Sequence, residues 1–343
     1  MRVTVTVCTR ERPKMLRACI ESLVAQKIPN DLSLALVVIE NDDFPRSAVL
    51  VSELSQSSGV PIFYDHEPTL GIPIARNRAL SIALQHQPDW IGFIDDDETA
   101  GPNWLVNFFE AANSLDCDVL QGPVESLYPE APPSWMKTPG RKHQPTGREL
   151  HTARTNNTFM RARLACPKEL GLRFNEAMRF TGGSDNEYFF RAADRGARIC
   201  WSNETLVYES VPRIRLTLRW QLRRSMRVAA NTVVMQKTRL GLFAAATKCI
   251  PKYVGRLVRG LLVAPVAAPA AIVLGGPGKR LFASSLGDLA SAIGGLGAFC
   301  GLQPQPYRII DKHPSLWSWA ETFGPDRRPA RNDRPIILAN LEP

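Results

Sequence analysis

The sequence predicts an α/β fold in which a mainly parallel central sheet is flanked by helices. In the first hundred residues, apolar stretches of strand length alternate with segments whose apolar residues recur every three or four positions. Strands that alternate with helices in this way form parallel sheets covered by helices. Beyond residue 210 the chain becomes basic and apolar, and this change predicts a helical C-terminal extension that associates with membranes.

Four strands and two helices can be assigned from this pattern. The segment at residues 34–39 is continuously apolar, which is typical of a strand buried on both faces. Pro13 precedes a stripe of apolar residues spaced three and four apart, as expected for an amphipathic helix with proline near its start. The strand candidates are residues 3–8, 34–39, 62–64 and 90–94, and the helix candidates are residues 15–24 and 74–84.

The composition indicates a globular chain in a reducing compartment. The chain has 343 residues, of which 44% are hydrophobic, so it can bury a substantial core. A strand begins at Val3, which leaves no room for a secretory signal, and we expect the chain to start in the cytoplasm. The seven cysteines lack the paired spacing of zinc sites, and we expect most of them to be reduced core residues.

The net charge of +9 is unevenly distributed along the chain. Residues 1–209 carry a net charge of −5, whereas residues 210–287 contain fourteen Lys or Arg and no Asp or Glu. The chain therefore divides near residue 210 into an acidic front and a basic, apolar segment.

The basic segment predicts attachment to a membrane surface. Residues 261–274 are uncharged, but fourteen residues interrupted by two prolines are short for a transmembrane helix. Arg256, Arg259, Lys279 and Arg280 flank this run and suit an anionic leaflet, so peripheral attachment is favoured. Helices buried against the preceding domain are the alternative. No nucleic-acid partner is expected, because no DNA- or RNA-reading motif accompanies the basic residues.

Asp95, Asp96 and Asp97 follow the apolar run at residues 90–94. Three adjacent carboxylates cannot be buried there without a cation or another positive partner. Alternation along a strand would point Asp95 and Asp97 to one side and Asp96 to the other. Hard oxygen ligands suit Mg²⁺ or Mn²⁺ that bridges protein carboxylates to phosphates. An ordinary acidic turn is the alternative, whereas an EF-hand loop would need Gly and Glu at positions that hold Ala100 and Val106.

The carboxyl ends of the predicted strands carry a dense set of polar residues, at positions 9–12, 40–43 and 95–97. In open α/β sheets, ligands bind at this edge. No G-x-G-x-x-G pattern follows the first strand, so a dinucleotide cofactor is not expected.

Five segments within residues 1–230 have an informative order and spacing. They are residues 7–10 (VCTR), 38–42 (VIEND), 71–77 (GIPIARN), 93–98 (FIDDDE) and 181–187 (TGGSDNE). Together they resemble the family 2 inverting glycosyltransferases, which have the GT-A fold. Four further segments make the chain most similar to bacterial exopolysaccharide enzymes of the succinoglycan glucosyltransferase type, namely residues 121–124 (QGPV), 132–135 (PPSW), 155–157 (TNN) and 215–220 (RLTLRW).

The resemblance implies a nucleotide-sugar site at the carboxyl ends of the strands. Its members would be Thr9, Arg12, Glu40, Arg76, Asp95 and Asp96. Glu40 would accept hydrogen bonds from uracil or ribose, as acidic residues do in dinucleotide sites, with an ordinary acidic turn as the alternative. Asp97 would be the direct metal ligand, and Asp95 would lie toward the ribose or the metal.

Asp185 is the candidate general base by the same resemblance. Ser184 and Glu187 have the spacing of a capping box that opens a helix ending at Gly196. A carboxylate in the first helical turn is favoured in its ionised form, which a base requires. Ser184 stands where the family usually has Glu.

Further candidates for contacts with the acceptor or the diphosphate lie in three segments. Trp135, in a proline-rich loop, is suited to stack on a sugar ring, with packing on the domain as the alternative. Asn156 and Asn157 are candidates for sugar hydroxyls, with turn formation as the alternative. Arg223 and Arg224 belong to a basic run that would neutralise the departing diphosphate.

The resemblance therefore implies an inverting, metal-dependent glycosyltransferase. It would move a hexose from a UDP-sugar to a lipid-linked saccharide at the cytoplasmic face of the inner membrane, with residues 257–300 on or in the bilayer. The expected regions are a catalytic domain at 1–230, divided into a nucleotide-binding half (1–100) and an acceptor half (101–230), a membrane-associating region at 231–310 and a tail at 311–343.

Two other functions are compatible with parts of the pattern. A sugar nucleotidyltransferase of similar fold would need a Gly-rich, basic signature after the first strand, where this chain has residues 8–11 (CTRE). A non-catalytic, membrane-bound glycan-binding protein is suggested only by Ser184. Metal-dependent release of UDP in the presence of a lipid-linked acceptor distinguishes the three functions.

Overall fold

The protein is built on a mixed eight-stranded sheet with helices on both faces. The structure, a computed structural model, describes residues 1–138 and 143–302. The strands are β1 (Arg2–Thr9), β2 (Ser33–Glu40), β3 (Ile62–His66), β4 (Trp90–Asp95), β5 (Glu98–Ala100), β6 (Val119–Gln121), β7 (Val124–Leu127), β8 (Glu149–Leu150), β9 (Thr158–Arg161), β10 (Ile199–Trp201) and β11 (Val207–Ser210). The helices are α1 (Pro13–Val24), α2 (Ala48–Ser57), α3 (Ile72–Gln85), α4 (Trp104–Ser114), α5 (Ser184–Asp194), α6 (Leu218–Val273) and α7 (Gly276–Gly297).

The four strands and two helices predicted from the sequence are all present, each with slightly different ends. Helix α2 was not predicted. It buries only two residues, Val51 and Leu54, which is too few to give a clear helical pattern of apolar residues. The order of strands in the large sheet is β3-β2-β1-β4-β9-β6-β10-β8. Strands β3, β2, β1 and β4 are parallel, while β9 runs antiparallel to both of its neighbours. The α/β fold class is confirmed.

Alternate side chains of the central strands enter two different cores. Val38 packs on one face with residues of α1, α2 and α4, whereas Val37 and Ile39 pack on the other face with residues of α3 and α5. Burial on both faces explains why β2 is apolar throughout.

A small second sheet continues from the acidic turn after β4. Its strand order is β5-β11-β7, and it pairs Glu209 of β11 with Glu98 of β5. Strand β11 then leads through a short 3-10 helix, Arg213–Leu216, into α6. This arrangement brings the start of α6 back toward the carboxyl end of β4.

Five of the seven cysteines are free thiols, but only Cys19 and Cys249 of these five are buried, so the expected core position holds for two of them. Cys117 and Cys200 form a disulfide that joins β10 to the segment before β6. The free thiols are Cys8, Cys19, Cys166, Cys249 and Cys300.

Helices α6 and α7 form a long C-terminal hairpin. The backbone of α6 breaks at Gly241 (φ 80°, ψ 168°), whereas Pro265 and Pro269 lie inside the helix. Gly294 of α7 approaches α6 so closely that a Cβ there would lie 2.1 Å from the carbonyl oxygen of Met226. Small residues therefore allow the two helices to pack tightly.

The hairpin leaves a large apolar surface exposed. Leu262 is 70% exposed and Ile272 is 86% exposed, so the hairpin's outer faces are not buried against the preceding domain. Among the described residues, two helical segments, Leu218–Val273 and Gly276–Cys300, are long and apolar enough to cross a membrane, and their most apolar 18-residue stretches have mean hydropathies of 1.6 and 1.2. Pro265 and Pro269 do not end α6, and peripheral attachment through its uncharged run of fourteen residues remains a prediction.

The domain division remains a prediction. Helix α6 continues across residue 230, where two of the expected regions meet, and its break lies at Gly241. The expected tail at 311–343 lies outside the described residues.

Candidate active site

The register of the strands brings Thr9, Glu40 and Asp95 to one edge of the large sheet. Strands β1 and β2 place Thr9 beside Glu40, and β4 places Asp95 beside the residue that precedes Thr9. Asp96 and Asp97 form the turn after β4. The predicted polar edge is therefore present, and the acidic cluster, defined as Asp95, Asp96 and Asp97, lies near its middle.

Arg12 contacts two members of the acidic cluster. Its Nη1 lies 2.9 Å from Asp96 Oδ1 and 3.2 Å from Asp97 Oδ2. Thr9 Oγ1 donates to Asp96 Oδ2 at 2.8 Å, and Arg215 Nη2 lies 3.1 Å from Asp97 Oδ2. The two buried carboxylates thus have the positive partners that their burial requires.

The predicted alternation of the three carboxylates is wrong. Asp96 and Asp97 both reach Arg12, whereas Asp95 Oδ1 lies 3.5 Å from Arg76 Nη2. Alternation requires an extended backbone, and β4 ends at Asp95, so the two following residues turn instead.

Helix α5, which carries Asp185, packs beside the residue that contacts Asp95. Arg76 pairs with Asp95 and lies over the Phe174 ring, and that ring stacks on Tyr188 of α5 with 4.3 Å between the ring centres. Desolvation, opposed by the charge of Arg76 and assisted by the charges of Asp97, Asp96 and Asp185, raises the pKa of Asp95 to about 6. The helix of the candidate base therefore lies on the Arg76 side of the acidic cluster.

Two residues of this region were not assigned from the sequence. Glu98 is buried, and its Oε2 accepts a hydrogen bond of 3.0 Å from the backbone N–H of Asp95. Desolvation and the charge of Asp95 hold the pKa of Glu98 well above its usual value. Arg215 joins Glu209 and Asp97 by ion pairs. Glu98 lies in the motif FIDDDE and Arg215 in the motif RLTLRW. These motifs were the sequence signal by which the two residues could have been found.

Asp185 is the second residue of α5, where the free N–H groups of the helix favour a negative charge. The predicted capping box is wrong: Gly183, in the left-handed region at φ 86°, precedes the helix, and Ser184 lies inside it. The carboxylate of Glu187 pairs with Arg191 one turn later instead of reaching back to the cap. Asp185 nevertheless keeps the position in the first turn that was expected.

A residue of α6 holds the loop that precedes α5, the helix that carries Asp185. Asn231 Nδ2 donates hydrogen bonds of 2.9 Å to the carbonyl oxygens of both Thr181 and Gly182. The position of α6 therefore bears on the position of the candidate base. Asn231 was not recognised from the sequence, since its partners lie about fifty residues away.

Arg76 is held on the other side of the acidic cluster. Asn41 Oδ1 accepts from the backbone N–H of Gly71 at 2.8 Å, which fixes the start of α3. The guanidinium carbon of Arg76 lies 5.7 Å from the centre of the Phe174 ring. Arg76 is thereby oriented toward Asp95, in the region expected for the nucleotide sugar.

The direct nucleotide contact expected of Glu40 is not available in this conformation. Glu40 is fully buried, with 0% exposure. Its Oε2 accepts from the backbone N–H of Ser47 at 2.8 Å and from the Tyr64 hydroxyl at 2.6 Å, and its Oε1 accepts from Ser47 Oγ at 3.1 Å. Glu40 therefore anchors the connection between β2 and α2.

Asn157, like Glu40, is buried and forms its hydrogen bonds within the domain. It is fully buried with φ 59°, and its Oδ1 accepts from Trp104 Nε1 at 2.7 Å. Its Nδ2 donates to the carbonyl oxygens of Pro123 and Thr205. The turn-forming alternative is correct for Asn157, which cannot face a sugar in this conformation, while Asn156 is half-buried beside it.

Arg223 and Arg224 face different surroundings on α6. Desolvation is the largest effect that lowers the pKa of Arg224. The positive charges of nearby arginines, which include Arg154 and Arg215, lower it further. Desolvation and the charge of Arg219 lower the pKa of Arg223. The guanidinium carbons of Arg224 and Arg215 each lie 5.7 Å from the centre of the Trp220 ring, and Arg215 pairs with Asp97, so Arg224 lies on the side of the acidic cluster.

Trp135 is half-buried beside a cavity between its loop and the α6–α7 hairpin. The described lining of this cavity includes Leu218 and Gln221 of α6 but no member of the acidic cluster. Trp135 is thus brought near the start of α6, and no contact with the acidic cluster is formed.

The donor chemistry of the acidic cluster fits Mg²⁺ or Mn²⁺. Among the described residues, no three His, Cys, Asp or Glu side chains are arranged as a closed metal site. Mg²⁺ at nucleotide sites needs only one or two protein carboxylates, with phosphate and water oxygens completing its shell. Asp95 and Asp97 are the residues that would hold such an ion, and Arg76, Arg12 and Arg215, which pair with them in this conformation, would have to give way to it.

Comparison with known proteins gives the family to which this fold and this acidic site belong. The profile of "Glycosyl transferase family 2" matches residues 4–169. The chain belongs to the family 2 glycosyltransferases. It is similar to the succinoglycan biosynthesis protein ExoM of Rhizobium meliloti (strain 1021), with 32% identity over 231 residues, which cover 66% of this chain and 72% of that protein.

Solved structures support the fold. TarS 1–349 from S. aureus is similar with a TM-score of 0.51 at 17% identity, over 69% of this chain and 66% of that chain. TarS 1–349 in complex with UDP-GlcNAc is similar with a TM-score of 0.50 at 16% identity, over 83% of this chain and 90% of that chain. At these identities the similarity shows the fold alone, and it confirms the predicted GT-A architecture.

Proposed function

We propose that the protein is an inverting glycosyltransferase that moves a hexose from a UDP-sugar to a hydroxyl of a lipid-linked saccharide. The reaction would serve exopolysaccharide or cell-surface glycan synthesis at the cytoplasmic face of the inner membrane. The similarity to ExoM supports the pathway, and the UDP-GlcNAc complex of TarS supports a nucleotide-sugar donor. The observation that carries the proposal is the packing that links Asp95, through Arg76 and Phe174, to Tyr188 of the helix that carries Asp185.

Asp185 acts as the general base. Because an alcohol is very weakly acidic, its proton must leave while the oxygen attacks the anomeric carbon. The oxygen–carbon bond forms as the bond from the anomeric carbon to the diphosphate breaks, and the proton moves to the Asp185 carboxylate. A single displacement inverts the configuration, so an α-linked donor gives a β-glycoside.

Basic residues stabilise the leaving diphosphate. Arg215 already lies beside Asp97, and Arg224 lies within electrostatic range of Arg215. Preorganised cations of this kind stabilise charge that develops in the transition state. A divalent ion held by Asp97 and Asp95, when bound, supplies Lewis-acid stabilisation of the same charge. Arg12 and Thr9 hold Asp96 and thereby shape the donor side of the site.

The α6–α7 hairpin attaches the enzyme to the membrane that carries its acceptor. Its exposed apolar residues and its basic residues suit an anionic leaflet. Asn231 connects this hairpin to the loop before α5, the helix that carries Asp185.

The test is a transfer assay with the full-length chain in bacterial lipid extract. Each of several UDP-sugars is supplied with Mn²⁺ or Mg²⁺, and release of UDP, transfer of labelled sugar to the lipid fraction and the anomeric configuration of the product are measured. The proposal expects lipid-dependent UDP release, loss of transfer in EDTA and a β-linked product.

Each other outcome contradicts a stated part of the proposal. Pyrophosphate-dependent exchange with UTP, without transfer to lipid, would identify a nucleotidyltransferase. Saccharide binding without UDP release would identify a non-catalytic binding protein. Full transfer in EDTA would exclude the role given to the metal, and an α-linked product from an α-linked donor would exclude a single displacement.

A further inference from the structure

A cavity of about 660 Å³ lies between the loop at residues 134–138, the start of α6 and the helix α7. It is separate from the acidic cluster, and the mechanism above does not use it. Cavities of this size commonly hold small molecules or the head groups of larger ones. Arg280 Nε donates to the carbonyl oxygen of Ser134 at 2.7 Å, so the loop is attached to α7 at the rim.

The charge of the cavity favours an anion. Its described lining contains the cations Lys137, Arg256 and Arg280, which come from three different elements, and one carboxylate, Asp288. Asp288 Oδ2 already accepts from Arg259 Nε at 2.6 Å. Its Oδ1 also lies 4.0 Å from Arg256 Nε, within the lining. With three cations and one carboxylate in its described lining, the cavity has an excess of positive charge.

The apolar side of the cavity favours an amphiphile over a free anion. Trp135, Met136, Leu218 and Leu222 contribute apolar surface to the lining. Leu281, which follows Arg280 of the lining, is 47% exposed on the hairpin. An anionic head group bound in the cavity would therefore have apolar surface beside it for a hydrocarbon chain.

The wall of the cavity is connected to the acidic cluster. Gln221, which lines the cavity, donates from Nε2 to the carbonyl oxygen of Arg215 at 2.8 Å. The Arg215 side chain in turn pairs with Asp97. A head group held in the cavity would thus lie next to the segment that leads into the candidate active site.

We propose that this cavity binds the phosphate or diphosphate head group of the long-chain lipid that carries the acceptor saccharide. The assignment rests on the proposed function, because it names the part of the acceptor that the enzyme holds away from the reacting hydroxyl. The head group anchors the acceptor, and the saccharide extends from it toward Asp185.

The experiment measures binding of a long-chain polyisoprenyl diphosphate to the full-length protein in mixed micelles. The cavity variant combines Lys137→Gln with Arg256→Gln. The control variant combines Lys248→Gln with Lys252→Gln, which removes the same charge from an exposed part of α6 outside the described lining. Binding of UDP by each variant reports whether it is folded.

The cavity variant is expected to bind the lipid diphosphate at least about tenfold more weakly, since hydrogen bonds to charged groups are individually worth that much. The control variant is expected to bind like the wild type. Equal lipid binding by the wild type and the cavity variant would overturn the assignment.

Two competitors distinguish the sources of the phosphate. Inorganic pyrophosphate and phosphatidylglycerol are both expected to compete at least about tenfold less well than the polyisoprenyl diphosphate. Equal competition by pyrophosphate would identify a site for free phosphate, and equal competition by phosphatidylglycerol would identify a site for bulk lipid. Either result would overturn the assignment to the acceptor lipid.

The binding assay needs neither donor nor turnover, so the two proposals can fail separately. Cavity-dependent lipid binding without any sugar transfer would contradict the proposed function and leave the lipid site in place. Transfer by the cavity variant with an unchanged KM for the lipid acceptor would contradict the lipid site and leave the proposed function in place.

Discussion

At the scale of single residues, the proposed mechanism assigns the chemical step to Asp185. Replacing Asp185 by Asn keeps the shape of the side chain and removes its capacity to accept a proton. Loss of a positioned base typically lowers rates by about 10²–10⁴-fold. We therefore expect Asp185→Asn to lose transfer by this factor while it retains UDP binding, as measured by labelled-sugar transfer and by calorimetry with UDP.

The matched control for this variant is Asp194→Asn. Asp194 is the last residue of the same helix and pairs with Arg239 at the surface. We expect transfer by this control within about threefold of the wild type, since exposed ion pairs contribute little. Turnover of Asp185→Asn near the wild-type rate would show that another group is the base.

Glu40 is expected to act on stability. Glu40→Gln removes one carboxylate oxygen that accepts hydrogen bonds inside the core. An unsatisfied buried donor costs about 1–3 kcal/mol, so the free energy of unfolding should fall by that amount in urea denaturation. Tyr64→Phe in a double-mutant cycle should show coupling with Glu40, because the Tyr64 hydroxyl donates to Glu40 Oε2. Weaker UDP binding with unchanged stability would instead support the original nucleotide contact.

Residues on adjacent strand ends could be predicted, and residues with distant partners could not. Thr9, Arg12 and Asp96 follow from the rule that the carboxyl ends of parallel strands share one edge, and they do contact one another. Glu40 has the same kind of position, but the Tyr64 hydroxyl and the backbone of Ser47 occupy its carboxylate. The order of the strands predicts where the backbone of Glu40 lies. It does not predict which neighbouring groups form hydrogen bonds with the Glu40 carboxylate.

At the scale of elements, α6 positions the loop before α5. Asn231→Asp keeps the shape but directs a carboxylate at the carbonyl oxygens of Thr181 and Gly182. Displacement of a catalytic group by about 1 Å can cost about 10²-fold in rate. We expect Asn231→Asp to lower kcat by at least about tenfold with little change in the KM for the donor.

The control for Asn231 is Thr238→Ala, two turns further along α6. Its hydroxyl bonds only within the helix, to the carbonyl oxygen of Val234, and it is exposed. We expect its kcat to stay within about twofold of the wild type. If Asn231→Asp keeps the wild-type kcat, α6 does not position the base.

The errors in element prediction have a shared physical origin. The spacing of Ser184 and Glu187 satisfies the pattern of a capping box, but the left-handed Gly183 moves the helix start by one residue. The acidic cluster was expected to alternate, but the strand ends at its first member. Periodicity describes the interior of helices and strands, whereas both sites depend on the ends, which local backbone conformation decides.

At the scale of the whole molecule, we expect the α6–α7 hairpin to attach the protein to a membrane. Leu261 and Leu262 are exposed apolar residues of α6. We expect Leu261→Glu with Leu262→Glu to reduce cosedimentation with phosphatidylglycerol vesicles at least about fivefold, since apolar burial and attraction to anionic lipid both drive interfacial binding. Salt should weaken the binding of the wild type, because salt screens the basic residues.

The control for this variant is Val49→Glu in α2. Val49 is also an exposed apolar residue, at 71%, but it lies in the catalytic part of the chain. We expect its cosedimentation to match that of the wild type. If the variant with both Leu261→Glu and Leu262→Glu binds vesicles as well as the Val49→Glu control does, another surface attaches the protein to the membrane.

The central claim is that the donor diphosphate and the candidate base meet in one site. The most direct measurement is a crystal structure of Asp185→Asn with an intact UDP-sugar. Our account predicts that the diphosphate lies beside Asp97 and Arg215 and that the anomeric carbon faces residue 185. A nucleotide bound away from the acidic cluster, or an anomeric carbon turned away from residue 185, would contradict it.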